Sequence, residues 1–503
     1  MLRYFVIFIA AIFIFAIASP LYAETTKDLE KKFNELQQEY QKKFDELKSQ
    51  IDEMKNSSEE IKKSTEEQKA LQQKQIEEIQ KATKEKEKEL ETIQAKMEEQ
   101  KKLALQAGYD NGFFIKSADE QFLLKLNGYL QTDLRFFEGG ENRTSQPDTF
   151  DLRRARLIVS GNIFKYFEYK LETELNAGAK SILTDGFLNV NYTPLVNFQV
   201  GQFKKPIGYE SPISDANTDF ITKAIAVENI VGTPDARDIG VMLKGALFNK
   251  TLAYYLAMLN GTGANNLNDS HDFTYAGRLV ASPFKNTDNF FLKGLNFGGS
   301  LSIGDRQLHK SADIGLAGRT KPFNNISVDV DGQRFVVGPE LAWYIGPFGL
   351  KSEYIYQSEE RNKIPEKDKT GTVIANHNLK DLISKGYYIS AMYMLTGENM
   401  SENIIPKKNV FNGSGGLGAW EVAARLEGMS VNKDSGTEDV LAGENVLHNK
   451  VSTFTLGLNW YLNPNVKLMV NWALNKFSKQ QNLKDTTIGD TENIFLTRFQ
   501  FKF

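Results

Sequence analysis

Two periodicities divide the chain. Over residues 24–107, apolar side chains return every three or four positions: Leu29, Phe33, Leu36, Tyr40, Phe44, Leu47, Ile51, Met54 and Ile61, then Ile76, Ile79, Leu90, Ile93 and Met97. That spacing is the a/d seam of a long helix. The four-residue steps Leu36–Tyr40–Phe44 form a stutter that locally unwinds a supercoil. Glu, Lys and Gln, all good helix formers, fill the other faces. Ser58, Thr65, Gln68, Gln72, Thr83 and Lys86 fall on or near the seam and leave its middle weakly apolar. A lone helix of this kind leaves a wet apolar stripe, so the pattern predicts a coiled coil of copies, about 125 Å long at 1.5 Å per residue. The plainer alternative is a single charged helix or a spacer.

From Gly108 the period falls to two. Leu124, Leu126, Leu130, Leu134 and Phe136 alternate with Lys125, Asn127, Gln131, Asp133 and Arg135. The pattern recurs at 167–176, 453–462 and 466–475, and the chain ends on Phe495, Thr497, Phe499, Phe501 and Phe503 against Arg498, Gln500 and Lys502. Such alternation is a strand with one apolar and one polar face. A soluble sandwich with one wet face also alternates. Strands of roughly 9–11 residues, aromatic strand ends and a terminal Phe point instead to an all-β transmembrane barrel, which leaves no edge for lipid to meet. Strand cores begin near residues 122, 150, 167, 184, 196, 239, 252, 273, 295, 337, 350, 387, 419, 451, 466 and 494, so 16 antiparallel strands are predicted. The tight turns at Pro194, Pro347 and Pro464 fall on the side of the N-terminus. The long gaps 204–238, 305–336, 358–386 and 429–450 fall on the other, as short periplasmic turns and long outer loops require. Residues 397–418 break this rule.

Met1–Arg3, the apolar run Tyr4–Ala18 and Ser19–Ala23 read as a secretory signal peptide over residues 1–23, with an uncleaved anchor as the alternative. The domains are thus a leader at 1–23, a periplasmic coiled-coil helix at 24–107 and a barrel at 108–503. All 38 glycines and all four tryptophans lie in the barrel segment. The whole chain carries −3, and so does the 24–107 segment alone; with Arg3 ahead of it, residues 108–503 carry −1. A near-neutral body argues against nucleic acid, whose binding rests on phosphate neutralisation. With no cysteine, lipoprotein anchors, disulfides, thiolate metal sites and Cys nucleophiles are excluded, and four histidines make a His-rich metal site unexpected. No cofactor, metal site or catalytic residue is called.

Five ordered motifs carry a resemblance. They are Phe150-Asp-Leu-Arg-Arg-Ala-Arg-Leu-Ile-Val-Ser-Gly161, Val200-Gly-Gln-Phe-Lys-Lys-Pro-Ile-Gly208, Ala342-Trp-Tyr-Ile-Gly-Pro-Phe-Gly349, Gly418-Ala-Trp-Glu-Val-Ala-Ala-Arg425 and Leu456-Gly-Leu-Asn-Trp-Tyr-Leu-Asn-Pro-Asn-Val466. With them, residues 122–503 resemble the phosphate-selective porins O and P of Gram-negative outer membranes. The resemblance implies a homotrimer of sixteen-stranded barrels whose loop after strand 5 folds inward as a constriction; here that is the 204–238 gap. It also implies a pore lined by arginines and lysines. The best counterparts are Arg154 and Arg156, with Lys125, Arg135, Arg278, Arg425 and Arg498 as further pore-lining candidates and Lys204, Lys205, Lys223 and Arg237 in the loop.

Counting charges at lumenal positions gives eleven cations against nine acids, with no clear excess. The loop adds Glu210, Asp215, Asp219, Glu228, Asp235 and Asp238 to its four cations. Selectivity follows lining charge, so anion preference is open, and for any one arginine a lumenal salt bridge is the plainer reading. The leading function is an outer-membrane porin for passive diffusion of small hydrophilic solutes or anions such as phosphate. Its partners are outer-membrane lipid, two further copies and, through the coiled coil, peptidoglycan or the cell wall. The alternative is a structural tether whose pore is non-selective. A barrel enzyme ranks last, because no Gly-x-Ser-x-Gly, His-Glu-x-x-His or P-loop occurs and the histidines fall in outer loops or at strand borders.

Overall fold

The computed structural model describes residues 42, 49, 71, 73–97, 105–139, 147–176, 183–232, 235–310, 329–367, 370–411, 415–432, 449–477 and 491–503. The leader at 1–23 and the seam from Leu29 to Ile61 lie outside the described residues. The chain divides into two units, Met1–Glu99 and Gln100–Phe503.

In the first unit, residues 73–97 form one unbroken helix that is exposed along its whole length. Ile76, Ile79, Leu90, Ile93 and Met97 are each more than half exposed, so the seam is uncovered in a single chain. The helix does not continue to residue 107 as the spacing predicts. Leu105–Tyr109 is strand β1, paired antiparallel with β2 (Phe113–Ser117). Asn111 and Gly112 both take positive φ, which closes this hairpin tightly and favours the strand there.

The second unit is a closed barrel. Its wall is β3 (Leu123–Gly139), β4 (Thr149–Ile163), β5 (Phe167–Glu174), β6 (Leu183–Thr193), β7 (Val196–Lys204), β8 (Arg237–Leu247), β9 (Leu252–Leu259), β10 (Thr274–Ala281), β11 (Leu295–Lys310), β12 (Asp329–Ile345), β13 (Phe348–Lys367), β14 (Val373–Met394), β15 (Ala419–Asn432), β16 (Asn449–Asn463), β17 (Val466–Phe477) and β18 (Thr491–Lys502). Each pairs antiparallel with the next, and β18 pairs back with β3, so sixteen strands close on themselves. On that same edge of β3, β18 covers residues 129–139 and β2 continues along 123–126.

Most strand starts fall where the alternation places them. The predicted outer gap 358–386 is a correction: β13 runs to Lys367 and β14 starts at Val373. The backbone ladder needs no apolar face to continue, and Glu359-Glu360-Arg361-Asn362-Lys363 shows no alternation to read. β12 likewise starts at Asp329 rather than near 337.

Leu130, Phe136, Leu171, Leu188, Val200, Leu256, Leu301, Ile389, Leu426, Leu456 and Phe499 stand exposed on the outer wall, a band too apolar for water and suited to lipid. Near the short-turn end Trp420 and Trp460 stack at 4.9 Å, and both indole N–H groups donate to the Leu417 carbonyl, at 3.1 and 2.8 Å. That amphipathic placement is typical of a membrane interface.

The apolar core is inside the lumen. After the fifth barrel strand, residues 205–232 fold inward and include a one-turn π-helix, Val227–Val231. Ile207, Ala224, Ile225, Ala226, Val227, Ile230 and Val231 are buried against Met242, Leu259, Val336, Leu382, Met429 and Val451 of the wall. At Gly386 the approach is so close that a Cβ would stand 2.4 Å from that of Ala226. In the segment 397–418, which breaks the short-turn rule, the stretch around Met400 and Ile404 also turns inward. Met400 donates its N–H to the Gly346 carbonyl at 2.6 Å, and Met400 and Ile404 bury themselves beside Phe220.

Candidate functional site: the barrel lumen

Arg154 and Arg156 owe their lumenal direction to a β-bulge. Gln131 pairs with Arg154 but Thr132 pairs with Leu152, so Arg153 is an extra residue and the alternation changes phase there. Phe150 and Leu152 face outward before the bulge and Leu157 after it. Arg156 then donates to Glu172 at 2.6 Å through Nη1 and to Glu174 at 3.0 Å through Nε. Arg154 Nη1 donates to Gln131 Oε1 at 3.1 Å. Arg237 donates to Asp185 at 2.5 Å, and Lys170 bridges Asp185 and Glu172 at 2.6 and 2.7 Å.

The other candidates are paired as well. Arg498 holds Asp133 through two bonds of 2.6 and 2.9 Å, at a register position where β18 and β3 close the barrel. Arg135 lies between Asp133 and Asp151. Arg425 is 1% exposed and pairs with Glu427 at 2.9 Å. Arg278 meets Glu340 at 2.6 Å and fronts a cavity of about 340 Å³ lined by Tyr209, Tyr255, Tyr344 and Glu402. Lys125 is part-exposed, 3.9 Å from Asp110. In the loop, Lys204 donates to the Ile213 carbonyl at 2.6 Å, and Lys223 to those of Ser211 and Ile213 at 2.9 and 3.0 Å. Lys205 is buried, and desolvation, aided by Arg334, pushes its ammonium down to about 7.

Several of these side chains therefore position the loop rather than present charge. From β13 round to β3 the wall straps its backbone. The Glu353 carboxylate accepts from the N–H groups of Tyr209 (2.5 Å) and Glu210 (3.0 Å), and Glu427 accepts from Ile225 at 2.6 Å. Asn471 accepts from the N–H of Ile221 at 2.7 Å. Arg425, Asn459, Lys467, Gln500 and Gln131 donate to the carbonyls of Thr222, Asp219, Thr218, Ala216 and Asp215, at 2.8 to 3.1 Å. Buried backbone groups demand such partners. The charge census passed over the neutral members of this set, and their signal was their position: amides at lumenal parity on their strands.

Two loop carboxyls differ in kind. Burial raises Glu210 to about 7, only partly offset by Arg425 and the Ala224 N–H. Burial also works against Asp215, but Arg154, Lys223 and Arg156 outweigh it and hold the carboxyl well below its usual range.

The model of the family described as phosphate-selective porin O and P matches residues 124–503. Porin O of Pseudomonas aeruginosa is 27% identical over 421 residues, covering 78% of this chain and 91% of that protein. The outer membrane channel DcaP of Acinetobacter baumannii aligns with a TM-score of 0.49 and 12% identity, over 79% of this chain and 100% of that one. OmpT of Vibrio cholerae, an outer membrane protein, aligns with a TM-score of 0.49 and 12% identity, over 76% and 98% of the two chains.

Proposed function

Because the chain belongs to the phosphate-selective porin O and P family, whose members are channels of the outer membrane, we propose that it passes small hydrophilic solutes with only weak preference for anions. One observation supports the weak preference: the pore-lining arginines called from the sequence sit beside carboxylates at ion-pair distance. Opposite charges about 3 Å apart largely cancel beyond their own separation, so a passing ion meets dipoles rather than a field of one sign. Planar-bilayer recording of the purified protein tests this. Discrete channels with comparable chloride and potassium permeability are expected; absence of channels rejects the porin reading.

For the first unit we propose that the helix assembles three copies in the periplasm. Its uncovered seam, Ile76, Ile79, Leu90, Ile93 and Met97, supports self-association, since a stripe of that size gains from burial. Deleting residues 24–97 should lower the oligomer mass in sedimentation while leaving channel conductance unchanged. An unchanged mass would assign assembly to the barrel and leave the helix as a tether to the cell wall.

A further inference from the structure

One cavity in the lumen is explained neither by the straps nor by the paired charges. Between the Tyr209–Ile213 stretch of the inward loop and strands β9–β12, the lumen keeps about 340 Å³ of space. Tyr209, Tyr255 and Tyr344 line it, with Arg278, Glu340 and Glu402 among them. Arg278 and Glu340 cancel one another: Nε stands 3.1 and 3.0 Å from the two carboxylate oxygens, and Nη2 is 2.6 Å from Oε1. Glu402 is different. It is exposed, its Oε1 accepts from the Tyr209 hydroxyl at 2.9 Å, and it makes no ion pair among the described residues. The Tyr344 hydroxyl meets that of Tyr209, so two phenols and the carboxylate form one chain. Neutral phenols leave the Glu402 charge uncompensated. With one cation and two acids, the lining carries a net charge of −1.

The rings here already attract cations. Arg278 lies over Tyr255 at 5.8 Å. Lys351, whose charge is taken up by Asp219 at 2.6 Å, lies over Tyr209 and Tyr344 at 5.7 and 5.8 Å. These distances fall within the roughly 6 Å over which a ring face attracts a cation. Both cations are tethered and each has an acid of its own, so neither answers Glu402. Ile213, Ala253 and Val280 add apolar lining. Such a wall strips a strongly hydrated metal ion of water without replacing it, and suits a cation clothed in carbon. A neutral sugar also stacks on such rings, yet leaves the Glu402 charge unanswered. We infer that this cavity binds a small organic cation, an alkylated ammonium whose charge lies against Glu402 and whose methyl groups meet the tyrosine rings. The inference rests on the porin reading above, because the cavity is reached by a solute that enters the lumen.

The test uses the full-length protein in planar bilayers, with choline chloride titrated into a fixed potassium chloride background. Wild type should show choline-dependent interruptions of the single-channel current, which glucose at the same concentrations should neither produce nor relieve. In Glu402→Gln the half-blocking choline concentration should rise about tenfold, as loss of a close charge in a partly enclosed site implies. In Tyr255→Leu it should rise roughly threefold, and Tyr255→Phe, which keeps the ring, should recover most of that loss. Glu228→Gln removes an exposed acid of the inward loop outside the cavity and should leave choline block as in wild type. Channels that choline does not interrupt, or equal block in wild type, Glu402→Gln and Tyr255→Leu, overturn the inference while leaving the porin standing. So does equal weakening by Glu228→Gln, which makes the effect one of general charge. Interruption or relief by glucose also overturns it, since the seat is then one for polyols. A wild-type protein without channels overturns the porin reading and the inference with it.

Discussion

Replacing Asn459, Asn471 and Gln500 together with Ala is expected to release the inward loop and raise single-channel conductance severalfold. These three neutral side chains strap the backbone at Asp219, Ile221 and Ala216. Each bond contributes about 1 kcal/mol net, and each loss leaves a buried backbone group without a partner. Together they hold about 3 kcal/mol, roughly a hundredfold in the population of the seated loop. None carries charge, so ion selectivity should change little while current rises and flickers. The apolar end of the loop, Ile225 to Val231, remains packed and opposes full release. Conductance equal to wild type would mean that the apolar plug alone seats the loop.

The second large effect concerns the seam. Arg498→Leu should destabilise the barrel by about 3–5 kcal/mol, because it leaves Asp133 buried without its bidentate partner. Arg135, 3.3 Å away, compensates in part. The readout is the temperature at which the folded barrel loses its compact migration in detergent gels, which should drop clearly. Adding Asp133→Asn should recover most of the loss, since removing both charges ends the imbalance. A single variant as heat-resistant as wild type would show that the pair does not brace the closure.

Much of the wall was legible in the sequence because lipid and water impose a period of two on each crossing. Turns such as Pro194-Leu195 then placed the short side. Legibility failed where that constraint lapses. Glu359 to Lys363 extend β13 with five polar residues in a row, so no apolar face betrays the strand there. The bulge at Arg153 leaves no mark in composition, yet it decides that Arg154 and Arg156 enter the lumen. The gap after the fifth strand places the loop, but spacing alone does not show that Ala224–Val231 packs against the lumenal wall. For Arg425 and Arg498 the sequence leaves lining charge and a lumenal salt bridge both open, and it does not name the partners found here, Glu427 and Asp133. Pairing is a property of neighbouring strands, which a linear charge census does not see.

In a porin whose lumenal cations are neutralised by its own acids, neither ion of a salt is strongly favoured. The reversal potential of the wild-type channel in a tenfold KCl gradient reads this balance. Ideal selectivity for one ion gives about 59 mV. A value close to zero is expected, and a value near the full potential for chloride would show that the lumenal cations are not neutralised.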